Sequence, residues 1–178
     1  MTQQVDDSGL VARARQKDAA AFTALVRRHL RAAIAVGLAV LKDATEAEDL
    51  AQDAFTVAYQ NLAQCRDPAH FGAWLLSIVR SRALNRLAQK RIRAPHDMVL
   101  AEPTTAKEAE RFALREQLLQ SLAQLTEVQR EVVLLHDLEA YSHAEIAAAL
   151  NMSEVSSRQH LFNARKILRQ LLEPKGRP

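Results

Sequence analysis

The sequence predicts an all-α protein: two small helical domains joined by a flexible linker, the C-terminal one containing a helix-turn-helix. Three observations predict it. Only 4 of the 178 residues are Gly and 5 are Pro, while the strong helix formers Ala, Leu, Arg and Gln abound and β-branched runs are scarce. Apolar residues recur every third or fourth position through several long stretches. Residues 94–108 break that period with two prolines and mixed charge, as a linker does.

Asp18 is placed to cap a helix from Ala19 to about Leu41, with Phe22, Leu25, Val26, Leu30, Ala33 and Ile34 at helical spacing. Asp43 and Thr45 mark a turn. Thr45-x-x-Glu48 reads as a capping box opening a helix to about Leu62, with Leu50, Ala54, Val57 and Ala58 on one face. Gln64 to Pro68 reads as a loop, because proline disfavours helix at its predecessor. A third long helix is predicted from about His70 to Arg93. Its apolar stripe is Phe71, Trp74, Leu75, Ile78 and Leu84, and its C-terminal half is basic.

Beyond the linker, helix resumes near Ala109, with Leu114, Leu118, Leu122 and Leu125 at helical spacing. Thr126-x-x-Gln129 is a second capping box, opening a helix through Leu138. Ser142-x-x-Glu145 is a third, opening a short helix through Leu150. Asn151 suits the left-handed conformation at a helix end, and Ser153 caps a last helix to about Leu172. The two domains so bounded are residues 10–93 and 109–172, with no internal repeat or low-complexity tract.

Composition narrows the function. Apolar residues make up 48% of the chain, enough for a buried core and against wholesale disorder. A single cysteine, Cys65, forbids an internal disulfide and fits a reducing compartment. The longest apolar run, the ten residues Ala32 to Leu41, is too short to span a bilayer. The polar, acidic start MTQQVDDSGL does not read as a signal peptide, so a cytoplasmic protein is expected. The 6 histidines lack metal-ligand spacing. No phosphate loop, Ser/His/Asp order or paired-carboxylate site is apparent. No cofactor, no metal and no catalytic residue are expected, and the chain is not expected to be an enzyme.

Net charge is only +3, but it is unevenly spread. Asp43 to Asp53 holds five acids and no base, while Pro68 to His96 holds six Arg/Lys and no acid. Such alternation is expected of a chain that meets two different partners. Ser142 to Arg169 has the form of a helix-turn-helix. Its first helix presents Ile146, Ala147 and Leu150, with Ala147 and Ala148 allowing a close crossing. Its turn is Asn151-Met152-Ser153, and its second helix is expected to bury Val155, Leu161 and Leu168. That helix carries Arg158, His160, Arg165, Lys166 and Arg169 against Glu154. In this motif the second helix enters the major groove, its first turns on base edges. Taken alone, the segment also fits a hairpin of a helical bundle with a solvated basic face.

Taken in order, these motifs resemble bacterial RNA polymerase sigma factors of the small extracytoplasmic-function (ECF) group of the sigma-70 family. The first half matches in Asp18-x-x-Ala21-Phe22-x-x-Leu25, Arg28-His29 and Ala47-Glu48-Asp49-Leu50-x-Gln52-Asp53-x-Phe55. It continues in Phe71-x-x-Trp74-Leu75-x-x-Ile78-x-Arg80. The second half matches in Leu125-x-x-x-Gln129-Arg130-x-Val132-x-Leu134-Leu135, Tyr141-Ser142-x-x-Glu145-Ile146-Ala147-x-x-Leu150 and Ala164-Arg165-x-x-Leu168-Arg169. The resemblance runs from Asp18 to Leu172. Departures from the usual pattern are Thr126 for Pro, Asn151 for Gly, Ser81 for Asn and Asn85 for Asp. Val155-Ser-Ser-Arg-Gln-His160 stands where Gly-Thr-Val-Lys-Ser-Arg is usual.

The resemblance implies three surfaces. Asp49, Gln52 and Asp53 share one helical face and would dock on core RNA polymerase. Arg80, Ser81, Arg82, Asn85, Arg86 and Lys90 would contact the minus-ten element of promoter DNA, after a loop, Gln64 to Ala69, that resembles one capturing an unstacked base. Ser156, Ser157, Arg158, Gln159 and His160 would read the minus-thirty-five element. An anti-sigma factor is the further partner implied. Phe71 and Trp74 read as core, and Arg165 as a brace between helices. The rival readings are a helix-turn-helix transcriptional regulator with a helical dimerisation domain, and a helical adaptor that binds only protein.

Overall fold

The computed structural model describes residues 7–93 and 106–172, with the side chains of 91–93, 106–113 and 115 excepted. The predicted linker therefore lies outside the described residues as far as 105. Those described form helices, with no strand among them.

The first helix, α1 (Ser8–Arg15), was not predicted. It buries Val11 and Ala14, and Arg15 donates to the carbonyls of Leu62 and Cys65, which ties it to the loop ahead of α4. Helix α2 (Ala19–Leu41) starts where expected, the Asp18 carboxylate accepting from the Ala20 and Ala21 amides at 3.0 and 3.1 Å. Helix α3 (Ala44–Gln60) is capped by Asp43, which accepts from the Glu46 amide, and not by the Thr45 box. Asp43 has the extended backbone a cap needs, while Thr45 already lies in the first turn. Gly37 lets α2 and α3 touch: a Cβ there would stand 3.2 Å from the Ala47 Cα. Two short 3-10 turns, Leu62–Gln64 and Pro68–His70, lead into α4 (Phe71–Arg93). Phe71 and Leu75 are fully buried and Trp74 is half-buried against the core.

In the C-terminal half, α5 (Ala106–Ala123) precedes α6 (Glu127–Val133), which opens with both hydrogen bonds of the predicted Thr126/Gln129 box. It continues as a π-helical segment, Leu134–Leu138, in place of the single helix predicted through Leu138. Helix α7 (His143–Leu150) opens with the Ser142/Glu145 box and ends at Asn151, with φ 54°. Helix α8 (Glu154–Leu172) begins with the Ser156 amide on the Ser153 hydroxyl at 3.1 Å.

Although a flexible linker is predicted between them, the two helical lobes pack on each other. Helix α7 lies on α4, and α6 with the π segment lies on α2, so one apolar cluster runs from Val11 to Ala164. The reason is α2, whose second half is buried on nearly every side: Ala32, Ala33, Ala35, Val36, Ala39, Val40 and Leu41 are all inside. A helix apolar all round must be covered all round, and α3 and α4 do not suffice.

Candidate functional site

Asp49, Gln52 and Asp53 project from α3 and are exposed. They lie in the middle of α3, beyond the first turn, where Glu46 is the acid that the helix dipole favours. Asp53 pairs with Arg86, and Glu46 with Lys90 Nζ at 2.5 Å, so the acidic face of α3 borders the basic face of α4.

On α4 the predicted minus-ten residues fare differently. Ser81, Asn85 and Lys90 are exposed. Arg82 is half-buried, and its Nε is enclosed without a partner. Arg80 is taken: its Nε donates to both oxygens of Glu131 at 3.0 and 3.2 Å, and its terminal nitrogen reaches Glu127 at 3.4 Å. Glu131 is completely buried, and burial pushes its carboxyl up to about 7 despite the attraction of Arg80.

On α8 the minus-thirty-five set needs one correction. Ser157 is fully buried and its hydroxyl meets His143 Nδ1 at 2.9 Å. It fastens α8 to α7 and cannot reach a base in this arrangement. Arg158 and Gln159 are exposed, and Ser156 and His160 half-buried. Val155, expected inside, is 73% exposed, and Phe162 is 66% exposed. These two with Arg158 and Gln159 follow the i, i+3, i+4, i+7 spacing of one face. Apolar side chains on such a face can meet thymine methyls. Sequence reasoning missed Phe162 because Leu161 and Ala164, which do pack inside, flank it. The signal was its place seven residues after Val155.

The helix-turn-helix is braced from behind. Arg165 donates to both Asp137 oxygens, at 3.1 and 2.5 Å, the bracing role expected of it. Burial raises the Asp137 carboxyl, but hydrogen bonds from Arg165 and His136 outweigh this and hold it below the usual carboxylate range. The rings of His136 and His143 lie 4.7 Å apart, and burial with the neighbouring His136 lowers the His143 pKa. Cys65 is buried in the loop ahead of α4, and burial raises its thiol. Among the described residues, no group of His, Cys, Asp or Glu is placed to hold a metal, and no helix is long and apolar enough to cross a membrane.

Residues 25–92 match the family model described as Sigma-70 region 2, and residues 115–168 match that for Sigma-70, region 4. The chain belongs to the sigma-70 family of RNA polymerase sigma factors. Within it the chain falls in the ECF group. It is 30% identical to the RNA polymerase sigma-H factor of Pseudomonas aeruginosa, across 98% of this chain and 97% of that one. It is 29% identical to the ECF RNA polymerase sigma-E factor of Escherichia coli K12, across 98% of each. The structure is similar to CnrH, solved in complex with the cytosolic domain of CnrY. The TM-score is 0.71 at 27% identity, over 96% of this chain and 99% of that one. The region 2 match runs from within α2 to near the end of α4, and the region 4 match from within α5 into α8. As a sigma factor the chain binds core RNA polymerase and directs promoter recognition and transcription initiation.

Proposed function

We propose the following division of labour, in a cytoplasmic, non-enzymatic initiation factor with domains at 10–93 and 109–172. Asp49, Gln52 and Asp53 dock on core polymerase. Arg80, Ser81, Arg82, Asn85, Arg86 and Lys90 serve the minus-ten element. Ser156, Arg158, Gln159 and His160, with Val155 and Phe162 beside them, read the minus-thirty-five element. A protein inhibitor of the anti-sigma type is a further partner, by analogy with CnrH, which was solved with a partner domain bound.

The observation that carries the docking assignment is that Asp49, Gln52 and Asp53 stay exposed while the C-terminal lobe packs on α2 and α4. Asp49 and Asp53 flank Gln52 on an exposed face, and although Asp53 also meets Arg86, the face suits basic groups on a partner. Replacing Asp49 and Asp53 together by Arg is expected to weaken capture of core enzyme by about 2–5 kcal/mol while circular dichroism stays helical. Capture equal to wild type would overturn the assignment. The repressor reading is tested by gel shift and permanganate footprinting with and without core. Specific binding and strand opening that depend on core are expected of a sigma factor. Tight binding by the chain alone, without opening, is expected of a repressor.

A further inference from the structure

The segment between α3 and α4 is built of two three-residue 3-10 turns, Leu62–Gln64 and Pro68–His70. Its backbone bonds, Gln64 to Asn61, Cys65 to Leu62 and His70 to Asp67, each reach back only three residues. Bonds that local shape a turn without placing it on the rest of the molecule. Two features place it. Cys65 is fully buried, and its thiol donates to the Asp67 carbonyl at 3.4 Å. Arg15, at the end of α1, donates from Nε to the Leu62 carbonyl at 3.4 Å and from a terminal nitrogen to the Cys65 carbonyl. One planar guanidinium fork thus spans the first turn from its beginning to its end. Hydrogen bonds from a charged donor are stronger than those between neutral groups.

Helix α1 is itself fixed, with Val11 fully buried and Ala14 inside. It lies ahead of residue 25, where the region 2 match begins, so the tie comes from outside that module. The outer edge of the loop is exposed and polar, with Gln64, Arg66, Asp67 and His70 on it. Gln64 turns back to Asn61 at 3.1 Å. Asp67 accepts from the Ala69 amide at 3.1 Å and meets His70 at 2.8 Å. Arg66 follows directly on the Cys65 carbonyl that Arg15 holds. An arginine can bond a base edge or a phosphate with two parallel donors.

We propose that Arg15 is a positioning residue for minus-ten recognition: it fixes the loop from beneath and so sets where Arg66 meets the unstacked nucleotide. This deepens the minus-ten reading and rests on Gln64 to Ala69 being the loop that captures the base. Extruding a base costs free energy, and a loop that also had to be ordered on binding would add to that cost. Arg15 orders it in advance.

The test uses the full-length chain assembled with core polymerase, and a fork-junction DNA whose non-template minus-ten strand is single-stranded. Each nucleotide of that strand is replaced in turn by an abasic one, and affinity is measured by competition gel shift. One position is expected to be the most sensitive in wild type. Arg15→Met keeps the aliphatic stem and removes the donors. It is expected to weaken binding of the intact fork by about fivefold, and to match wild type on the fork that is abasic at the sensitive position. Arg15→Lys, which cannot bridge both carbonyls, should fall between the two. Arg66→Ala should give the same pattern as Arg15→Met, and combining them should cost less than about twofold more. Circular dichroism and core capture are expected to stay at wild-type values. Should Arg15→Met lose helicity, Arg15→Lys carries the same position-specific readout. Wild-type binding of the intact fork by Arg15→Met would overturn the proposal. So would an equal loss on every abasic fork, which marks a general loosening of the fold, and so would losses that add fully to those of Arg66→Ala. A wild-type chain with no sensitive position would overturn the loop reading, and this proposal with it. A sensitive position that Arg15→Met leaves unchanged would overturn the role of Arg15 alone.

Discussion

Helices α4 and α8 are both long and basic, and both face promoter DNA in the proposed division of labour, yet the structure treats their charges in opposite ways. On α4, Arg80, Arg86 and Lys90 each end on a carboxylate from another helix: Glu131 and Glu127, Asp53, and Glu46. On α8, Arg158 meets Glu154, its own neighbour one turn back at 2.7 Å, and both stay exposed. A pair within one helix travels with that helix and is worth little at the surface. Helix α8 therefore presents its reading face whatever the rest of the chain does, and α4 presents Arg80 only when α6 is elsewhere. The reading faces differ because the partner of Arg158 is local, while those of Arg80, Arg86 and Lys90, like that of Arg165 on the back of α8, are tertiary.

The largest expected break in that comparison comes from Arg80→Ala. It removes the hydrogen bonds that the Arg80 Nε donates to the buried Glu131 and is expected to destabilise the chain by about 1–3 kcal/mol in denaturant unfolding. Arg158→Ala is expected to stay within about 0.5 kcal/mol in the same measurement. It should instead relax base preference at one position of the minus-thirty-five element by about 1–3 kcal/mol. Equal stability losses in the two variants would erase the distinction between a held arginine and a presented one.

A pH series sharpens the held side. Glu131 is raised by burial to about 7, with Arg80 and Arg130 pulling it down and Glu127 pushing it up, against an ordinary value of 4.5. The folded chain thus binds this proton more tightly than an unfolded chain does. The stability linked to it is complete below the ordinary value and is lost as pH rises through about 7. Melting temperature is expected to fall between about pH 5 and pH 8 more steeply in wild type than in Glu131→Gln. Parallel curves would show that the carboxyl does not feel its burial.

On the presented side, Phe162→Ala is expected to leave helicity and stability nearly unchanged. It should weaken binding to sites with thymine at one position by about 1 kcal/mol in competition gel shifts with core enzyme bound. A uniform loss across all sequences would mean a general contact and no methyl reading. The smallest effect is expected from Ala140→Gly. It relieves a left-handed alanine while loosening the unfolded chain, so the net gain in stability should be under about 1 kcal/mol. A clear loss would show that the turn before Tyr141 relies on the alanine methyl.

Much of this was legible in the sequence. Asp18, Thr126 and Ser142 announced their helix starts, because a cap is a contact between residues two or three apart and needs nothing distant. Asn151 announced the turn of the helix-turn-helix for the same reason. Thr45 misled because two candidate caps stood two residues apart and the backbone chose Asp43. The exposure of Val155 and the burial of Ser157 were not legible. Helical spacing gives the faces of α8, but only the crossing of α7 over it decides which face is inside.

By itself the sequence determined the helices, their order, the helix-turn-helix and the acidic and basic faces, since these follow from local hydrogen bonding and from charges a few residues apart. It also held a clue to the packing of the lobes: the run Ala32 to Leu41 is too short for a membrane yet apolar all round, and so required cover from more than one side. Which surface would supply that cover was decided only by the tertiary structure. Arg130 reaching Ala39, Tyr141 reaching His29 and Glu131 reaching Arg80 join residues that lie tens of positions apart. Contacts at such separations are set by how two apolar faces fit together, and no periodicity along one chain records that fit.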